Sequence, residues 1–429
     1  VSTSNQVSLS SPAAMAECDD IPHTSSRQQT QFAKRIMRAI VQAIQSRRNG
    51  VCCDAMADSD DFSLDPGLIY LNHAAVSPWP RRTDDAVKAF ADENARLGSS
   101  RYPHWVKTEQ ALREQLRRLV NARSADEIAL LKNTSEALSM VAYGLSWQPG
   151  DNVVISNQEF PSNRIVWESL NKYGVDVLEA DITAADSAKN AVIDLINDRT
   201  RLVSVSSVQY GTGLKIDLAQ IGAACRQRNV LFCIDAIQSL GAVRFDAQAS
   251  QADFVMADGH KWMMGPEGVA LFWCRDEIMD RLDLKQYGWH MVEDCGNYAS
   301  KHWEMARSAR RFECGSPNMT GIHALHASMS LLEDIGMQAI ETRIRENSRF
   351  LIDFFLEHDA QFELITPARE HRHAGIVTFR PRDESPESLF GRLTGAQVSC
   401  ALRGGGVRFS PHYYTPRKHL CRALELLDA

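Results

Sequence analysis

No apolar run in this 429-residue chain approaches the roughly 18 residues needed to span a bilayer. No membrane-spanning helix and no membrane partner are therefore expected. Positive charge is not in excess either. Lys and Arg number 47 against 54 Asp and Glu, a net charge of −7, which argues against a nucleic-acid surface. None of the ten cysteines forms a CxxC pair or a metal-ligand spacing, so no metal is expected. Cys233 and Cys274 fall in apolar strand patterns and Cys225 in a helical one. That is the usage of reduced, buried thiols in a cytoplasmic protein. There is no internal repeat.

What is present is ample length for two or three domains. Residues 1–55 stand apart. "VSTSNQVSLSSPAAMAE" is Ser-rich without periodicity, and "QFAKRIMRAIVQAIQSRRNG" is a basic amphipathic pattern. They are expected to form a disordered or helical tail with no role in folding. The globular part is expected to begin near Met56. A large domain is expected over 56–310 and a smaller C-terminal one over 311–429.

From residue 127 onward strand and helix patterns alternate. "EIALL" (127–131), "DNVVIS" (151–156), "RLVSVSS" (201–207) and "VLFCID" (230–235) read as strands. Helical patterns lie between them, at 134–145, 163–172 and 217–228. This rhythm predicts an α/β fold, a mostly parallel sheet flanked by helices. From residue 320 it changes. A long helical stretch (320–357), short strands in "AGIVTFR" and "GGVRFS", and a closing helix (416–427) predict a smaller α+β domain.

The segment "ADFVMADGHKWMMGPEGVALFW" (252–273) sets Asp258, His260 and Lys261 between two core strands. In open α/β sheets ligands bind outside the carboxyl ends of the strands. Those ends carry Thr134 and Ser135, Glu159 and Phe160, Gln209, Asp235 and Gln238, then Lys261. Singly, each has a plainer reading. A hydroxyl or a strand-end acid caps a helix, and a strand-end lysine is solvated. Together they are what pyridoxal 5′-phosphate requires. Lys261 supplies the imine-forming amine and Asp235 the carboxylate for the ring nitrogen. Thr134 and Ser135 at a helix start suit the phosphate, and Phe160 suits the ring face.

The same residues resemble a known family. "DAIQSLG" followed by "ADGHKWMMGPEG" resembles the class V aminotransferases, fold-type I pyridoxal-phosphate enzymes that include cysteine desulfurases, selenocysteine lyases and isopenicillin N epimerase. "YLNHAAVSP", "NTSEALSMVA", "NQEFPSNRIVW", "FECGSPN" and "GGVRFSPHYY" extend the similarity over residues 65–429. The resemblance implies that Lys261 is the Schiff-base lysine and that Asp235 pairs with the ring nitrogen. It implies that Gln238, helped by Gln209, reaches the ring hydroxyl. Thr134, Ser135 and His260 would bind the phosphate, with Ser316 reaching it from a second subunit, which implies a homodimer. Arg408 would clamp a substrate carboxylate, with Arg403 as the next candidate. Asn72 and His73 would border the substrate.

Two positions depart from the desulfurase pattern. Phe160 stands where desulfurases carry a histidine. The run "CALRGGGVRFS" has no room for the loop that carries their nucleophilic cysteine, and Cys400 reads as a core residue. The expected function is therefore an aminotransferase acting on an amino acid or amine. The alternative is a C–S or selenocysteine lyase, or an epimerase, on the same scaffold. A cofactor-binding protein without catalysis is the remaining option.

Overall fold

The computed structural model describes residues 61–184 and 187–427. The tail expected over residues 1–55 lies outside the described residues. Strand β1 (Ile69–Tyr70) opens the described chain. The large sheet follows: β2 (Ile128–Leu131), β3 (Asn152–Ser156), β4 (Asp176–Ala180), β5 (Thr200–Ser206), β6 (Leu231–Asp235), β7 (Phe254–Asp258) and β8 (Ala270–Cys274). Their spatial order is β2-β8-β7-β6-β5-β3-β4. Only β8 runs against its neighbours, so the sheet is mostly parallel, as the alternating pattern predicts.

Every residue of β3, β6, β7 and β8 is buried. Alternation along a strand explains how. In β6, Phe232 and Ile234 join one apolar core while Leu231 and Cys233 join the core on the other face. A sheet covered on both faces reads as a continuous apolar run.

Two helices lie outside the patterns read from the sequence, Arg81–Leu97 and Tyr102–Val120, although the second buries Trp105, Leu112, Leu116 and Leu119 along one face. The first buries only Thr83. Side-chain bonds hold it to the later helix Met319–Ile335: Thr83 Oγ1 to Ser328 Oγ (2.6 Å), and Arg82 to Ser330 Oγ (3.1 Å) and Asp334 (2.8 Å). The helical stretch predicted over 320–357 breaks at Gly336, whose φ of 83° is in the left-handed region. Met337–Glu357 continues beyond it. Among the described residues, no helix is long and apolar enough to cross a membrane.

A second sheet contains β9 (Phe362–Leu364), β10 (Val377–Pro381), β12 (Ala401–Arg403) and β13 (Gly406–Phe409), all antiparallel, in the order β12-β13-β10-β9. β11 (Val398–Ser399) instead pairs in parallel with β1. The contact continues from Asn72 to Ser410. Both ends of the described chain are thus woven together. The Ser77 N–H then donates to the His260 carbonyl at 2.8 Å, so the weave abuts the segment that carries Lys261.

Two buried histidines sit in it. The Nδ1 of His73 meets the Ser410 carbonyl (2.8 Å) and its Nε2 the Tyr414 hydroxyl (2.7 Å). His412 Nδ1 accepts from the Tyr413 N–H (2.9 Å), so its Nε2 donates to the Trp262 carbonyl (3.0 Å). Burial holds His73 well below the usual histidine range and His412 down to about 4. The unfolded chain takes up these protons near pH 6.5. Their contribution to stability is therefore complete above that pH and is lost as pH falls toward 4, roughly 3 kcal/mol for His412. Urea midpoints should fall steeply from pH 6.5 to 4, with a shallower slope in His412→Gln. Parallel slopes would contradict this account.

Candidate active site

Lys261 follows β7 on a tight loop. The Gly259 N–H donates to the Val269 carbonyl (2.9 Å), and the Gly265 N–H to the Gly259 carbonyl (2.8 Å). Met264 takes a left-handed φ of 56°, which is unusual for a residue with a Cβ. Gly241 (φ 92°) lets the neighbouring chain approach, since a Cβ there would lie 2.3 Å from the Trp262 carbonyl oxygen. The Lys261 ammonium lies 5.6 Å from the centre of the Phe160 ring. Burial pulls it down to about 8, against the opposing effect of Asp235. A fraction of free amine is then present at neutral pH.

Asp235 ends β6 and is 2 % exposed. Burial pushes its carboxyl up to about 7, although the Ile237 N–H donates to Oδ1 at 3.0 Å and Lys261 opposes the shift. A cationic ring nitrogen against this carboxyl would restore its charge.

The helix Thr134–Gly144 begins beside this pair, capped by Asn133, which accepts from the Glu136 N–H (2.8 Å). Thr134 Oγ1 is buried without a partner, as are His260 Nδ1 and Asp258 Oδ1. The Thr134 N–H points to Asp258 Oδ2 at 3.4 Å, and His260 Nδ1 lies 3.5 Å from Asp258 Oδ1. Ser135 donates to Ser162 Oγ (2.8 Å). The Thr134 hydroxyl and the His260 ring, potential donors at a helix N-terminus, fit a phosphate group, whereas the Asp258 carboxylate can only accept and faces His260.

A buried carboxylate absent from the expected site organises the next wall. Glu159 accepts from Ser156 Oγ (2.7 Å), Asn163 Nδ2 (2.8 Å), the Ser206 N–H (2.9 Å) and Gln209 Nε2 (3.1 Å). Its place at a strand end is the only sign of it in the sequence. The amide nitrogen of Gln209 is spent there, and its buried Oε1 is left without a partner. Gln238, expected at the ring hydroxyl, spends both ends of its amide elsewhere. Nε2 donates to the Ala74 carbonyl (3.0 Å), and Oε1 accepts from Trp262 Nε1 (2.8 Å). It fixes the residue next to Lys261. Phe160 is 39 % exposed and meets Tyr210 edge-on at 5.1 Å.

Arg408 is 2 % exposed on β13. It donates to the Tyr210 carbonyl (2.7 Å) and to Asn72 Oδ1 (3.4 Å), while its Nε has no partner. Burial, with Arg403 nearby, draws it down to about 10, still charged at neutral pH. His73 is not free for chemistry, since both ring nitrogens are engaged in the weave. Ser316 is exposed on the segment between Phe312 and Met319. Cys400 is buried between β11 and β12, and burial pushes its thiol up to about 12. β12 and β13 are joined by Gly404 and Gly405 alone.

Fold and site together define a fold-type I enzyme of pyridoxal 5′-phosphate. A profile of the class-V aminotransferases matches residues 69–413, and the chain belongs to that family. It is similar to a probable cysteine desulfurase of Methanothermobacter thermautotrophicus, 32 % identical over 86 % of this chain and 96 % of that one. It is also similar to an uncharacterized aminotransferase of Bacillus subtilis, 28 % identical over 80 % and 89 % of the two chains. Among solved structures, the cystine C–S lyase C-DES in complex with cysteine persulfide shares the fold. Its TM-score is 0.78 at 21 % identity, covering 85 % of this chain and 98 % of that one.

Borohydride treatment of the holoenzyme should fix the cofactor to the peptide that carries Lys261. A label on any other lysine would remove its assignment. Asp235→Ala should weaken cofactor retention about 10- to 100-fold in equilibrium dialysis, the scale of one charge-assisted hydrogen bond. Unchanged retention would mean that Asp235 does not meet the ring.

Proposed function

We propose that this chain is a lyase that cleaves the C–S bond of a cysteine-derived amino acid, rather than the aminotransferase expected from the sequence. The relative named a probable cysteine desulfurase supports sulfur chemistry. One observation separates the proposal from desulfuration. The hairpin before Arg408 is a two-glycine turn, and the thiol that precedes it, Cys400, is buried in protonated form. No cysteine on this hairpin is placed to take sulfur from the substrate, so sulfur leaves to solvent.

When bound, the cofactor supplies an aldehyde that condenses with an amine and a ring that accepts electrons from the substrate's α-carbon. The chain's own residues do the rest. Arg408, supported by Asn72, holds the α-carboxylate through a guanidinium fork. Lys261 serves as the base that takes the α-proton, because burial keeps part of it unprotonated near pH 7. Asp235 holds its negative charge against the ring nitrogen. Phe160 shields the space over the Lys261 amine from water. With cysteine and water as reactants, the products are pyruvate, ammonia and hydrogen sulfide. The same reading makes the enzyme a homodimer, with Ser316 of the partner subunit at the phosphate.

Product analysis with cysteine tests the proposal. Pyruvate and ammonia in equal amounts are expected. Alanine with enzyme-bound persulfide would establish a desulfurase, and a keto acid formed only with an added amino acceptor would establish an aminotransferase. Cys400→Ser should keep its activity, whereas a desulfurase that used Cys400 would lose it. Arg408→Lys should cost about 2–4 kcal/mol in kcat/KM for amino acids, mostly through KM. Amines without a carboxylate should be spared.

A further inference from the structure

Three arginines share one face of the second sheet, Arg380, Arg403 and Arg408, and of these Arg380 is already answered by Glu363 at 2.9 Å. In the β12–β13 pairing Ala401 lies opposite Arg408, and Arg403 lies opposite Gly406. Residues directly opposite point the same way, and so do residues two apart on one strand. Arg403 is therefore the diagonal neighbour of Arg408, a separation of about 7–8 Å. The turn beside it presses on the site. A Cβ on Gly404 (φ 61°) would meet the Gly211 carbonyl oxygen at 2.4 Å. Gly211 follows Tyr210, whose carbonyl Arg408 holds.

The two guanidinium groups differ in depth. Arg408 is buried, while Arg403 is exposed and donates only to the Leu402 carbonyl beside it (2.7 Å). Neither has a carboxylate partner among the described residues. Both positive charges act on Lys261, and that of Arg403 acts on Arg408 as well. Like charges set side by side on a sheet face cost stability unless an anion answers them. One α-carboxylate fills the fork of a single arginine. The second arginine lies on the same sheet face, exposed and without a carboxylate.

We propose that Arg403 is a specificity-determining residue that reads a second, distal anion on the substrate. The preferred substrates are then amino acids with two acidic groups, the α-carboxylate at Arg408 and the distal anion at Arg403. This rests on the lyase reading for its chemistry and on the β12–β13 register for its geometry. The distal group is a carboxylate or a sulfur oxyanion, and both offer the same planar or trigonal set of acceptor oxygens to a guanidinium.

The test uses the holoenzyme, wild type, Arg403→Ala and Arg403→Lys. Calorimetry compares succinate with butyrate, two unreactive acids of equal carbon count. Steady-state kinetics compares S-carboxymethylcysteine and S-sulfocysteine with S-methylcysteine. In the wild type, succinate should bind about tenfold more tightly than butyrate, the low end for a hydrogen bond between charged groups. Arg403→Ala should bring the two together, and Arg403→Lys should keep part of the difference. The kcat/KM ratio of an anionic conjugate to S-methylcysteine should fall in Arg403→Ala through KM. A fall confined to the carboxymethyl conjugate assigns a carboxylate, and one confined to the sulfo conjugate assigns a sulfur oxyanion. If wild type and Arg403→Ala discriminate equally in both assays, the distal-anion site is overturned while the lyase stands. If no conjugate is cleaved but Arg403→Ala still loses the preference for succinate, the lyase reading fails and the anion site remains.

Discussion

Asp235, buried at the end of β6, and Lys261, half-buried on the loop after β7, lie beyond adjacent strands, and each is worth less as an ion there than in solution. Burial moves the carboxyl up to about 7 and the amine down to about 8. Two groups that would be fixed charges on a surface become groups poised near neutrality. The large sheet makes this possible. Its central strands β6, β7 and β8 are covered on both faces, so a strand end there can hold a polar group without flooding it. The close approach at Gly241 and the amide of Gln238 then hold the carbonyl and the indole of Trp262 beside Lys261.

Charge of the opposite kind is spread around this pair with care. Glu159 is also buried, but at least four donors satisfy it. It is spent on holding Gln209 and the turn before Phe160. Asp258 lies at a helix start, beside His260 and the Thr134 N–H. Arg408 has no such carboxylate. Its hydrogen-bond partners are the Tyr210 carbonyl and the Asn72 amide oxygen, with Arg403 its diagonal neighbour on the sheet. A buried cation held only by neutral dipoles is suited to receive an anion, which is the basis of the substrate role proposed for Arg408.

Legibility in the sequence followed burial. Strands covered on both faces appear as unbroken apolar runs, so β6, β7 and β8 could be placed to within a residue or two. The polar residues at their ends stood out against that background. Arg81–Leu97 did not, because a helix that buries one residue leaves almost no apolar stripe. Glu159 lay in view at a strand end, but its donors come from β3, β5, the helix Ser162–Glu168 and the loop at Gln209, and only folding collects them. The amide of Gln238 could not be assigned either, since its acceptor at Ala74 lies 164 residues away. The two-residue β1–β11 pair was likewise too short for any periodicity to mark.

That pair has a consequence for how the protein is made. His73 meets Ser410 across 337 residues of sequence, and Asn72 reaches Arg408 across 336. Contacts of such separation close late in folding, after local structure has formed. During synthesis the lysine, the strand ends and the phosphate cradle leave the ribosome well before β13. The residues proposed to hold the cofactor are therefore synthesised before the arginine proposed to hold substrate. In that order of synthesis, the last fifth of the polypeptide is what completes the proposed substrate site.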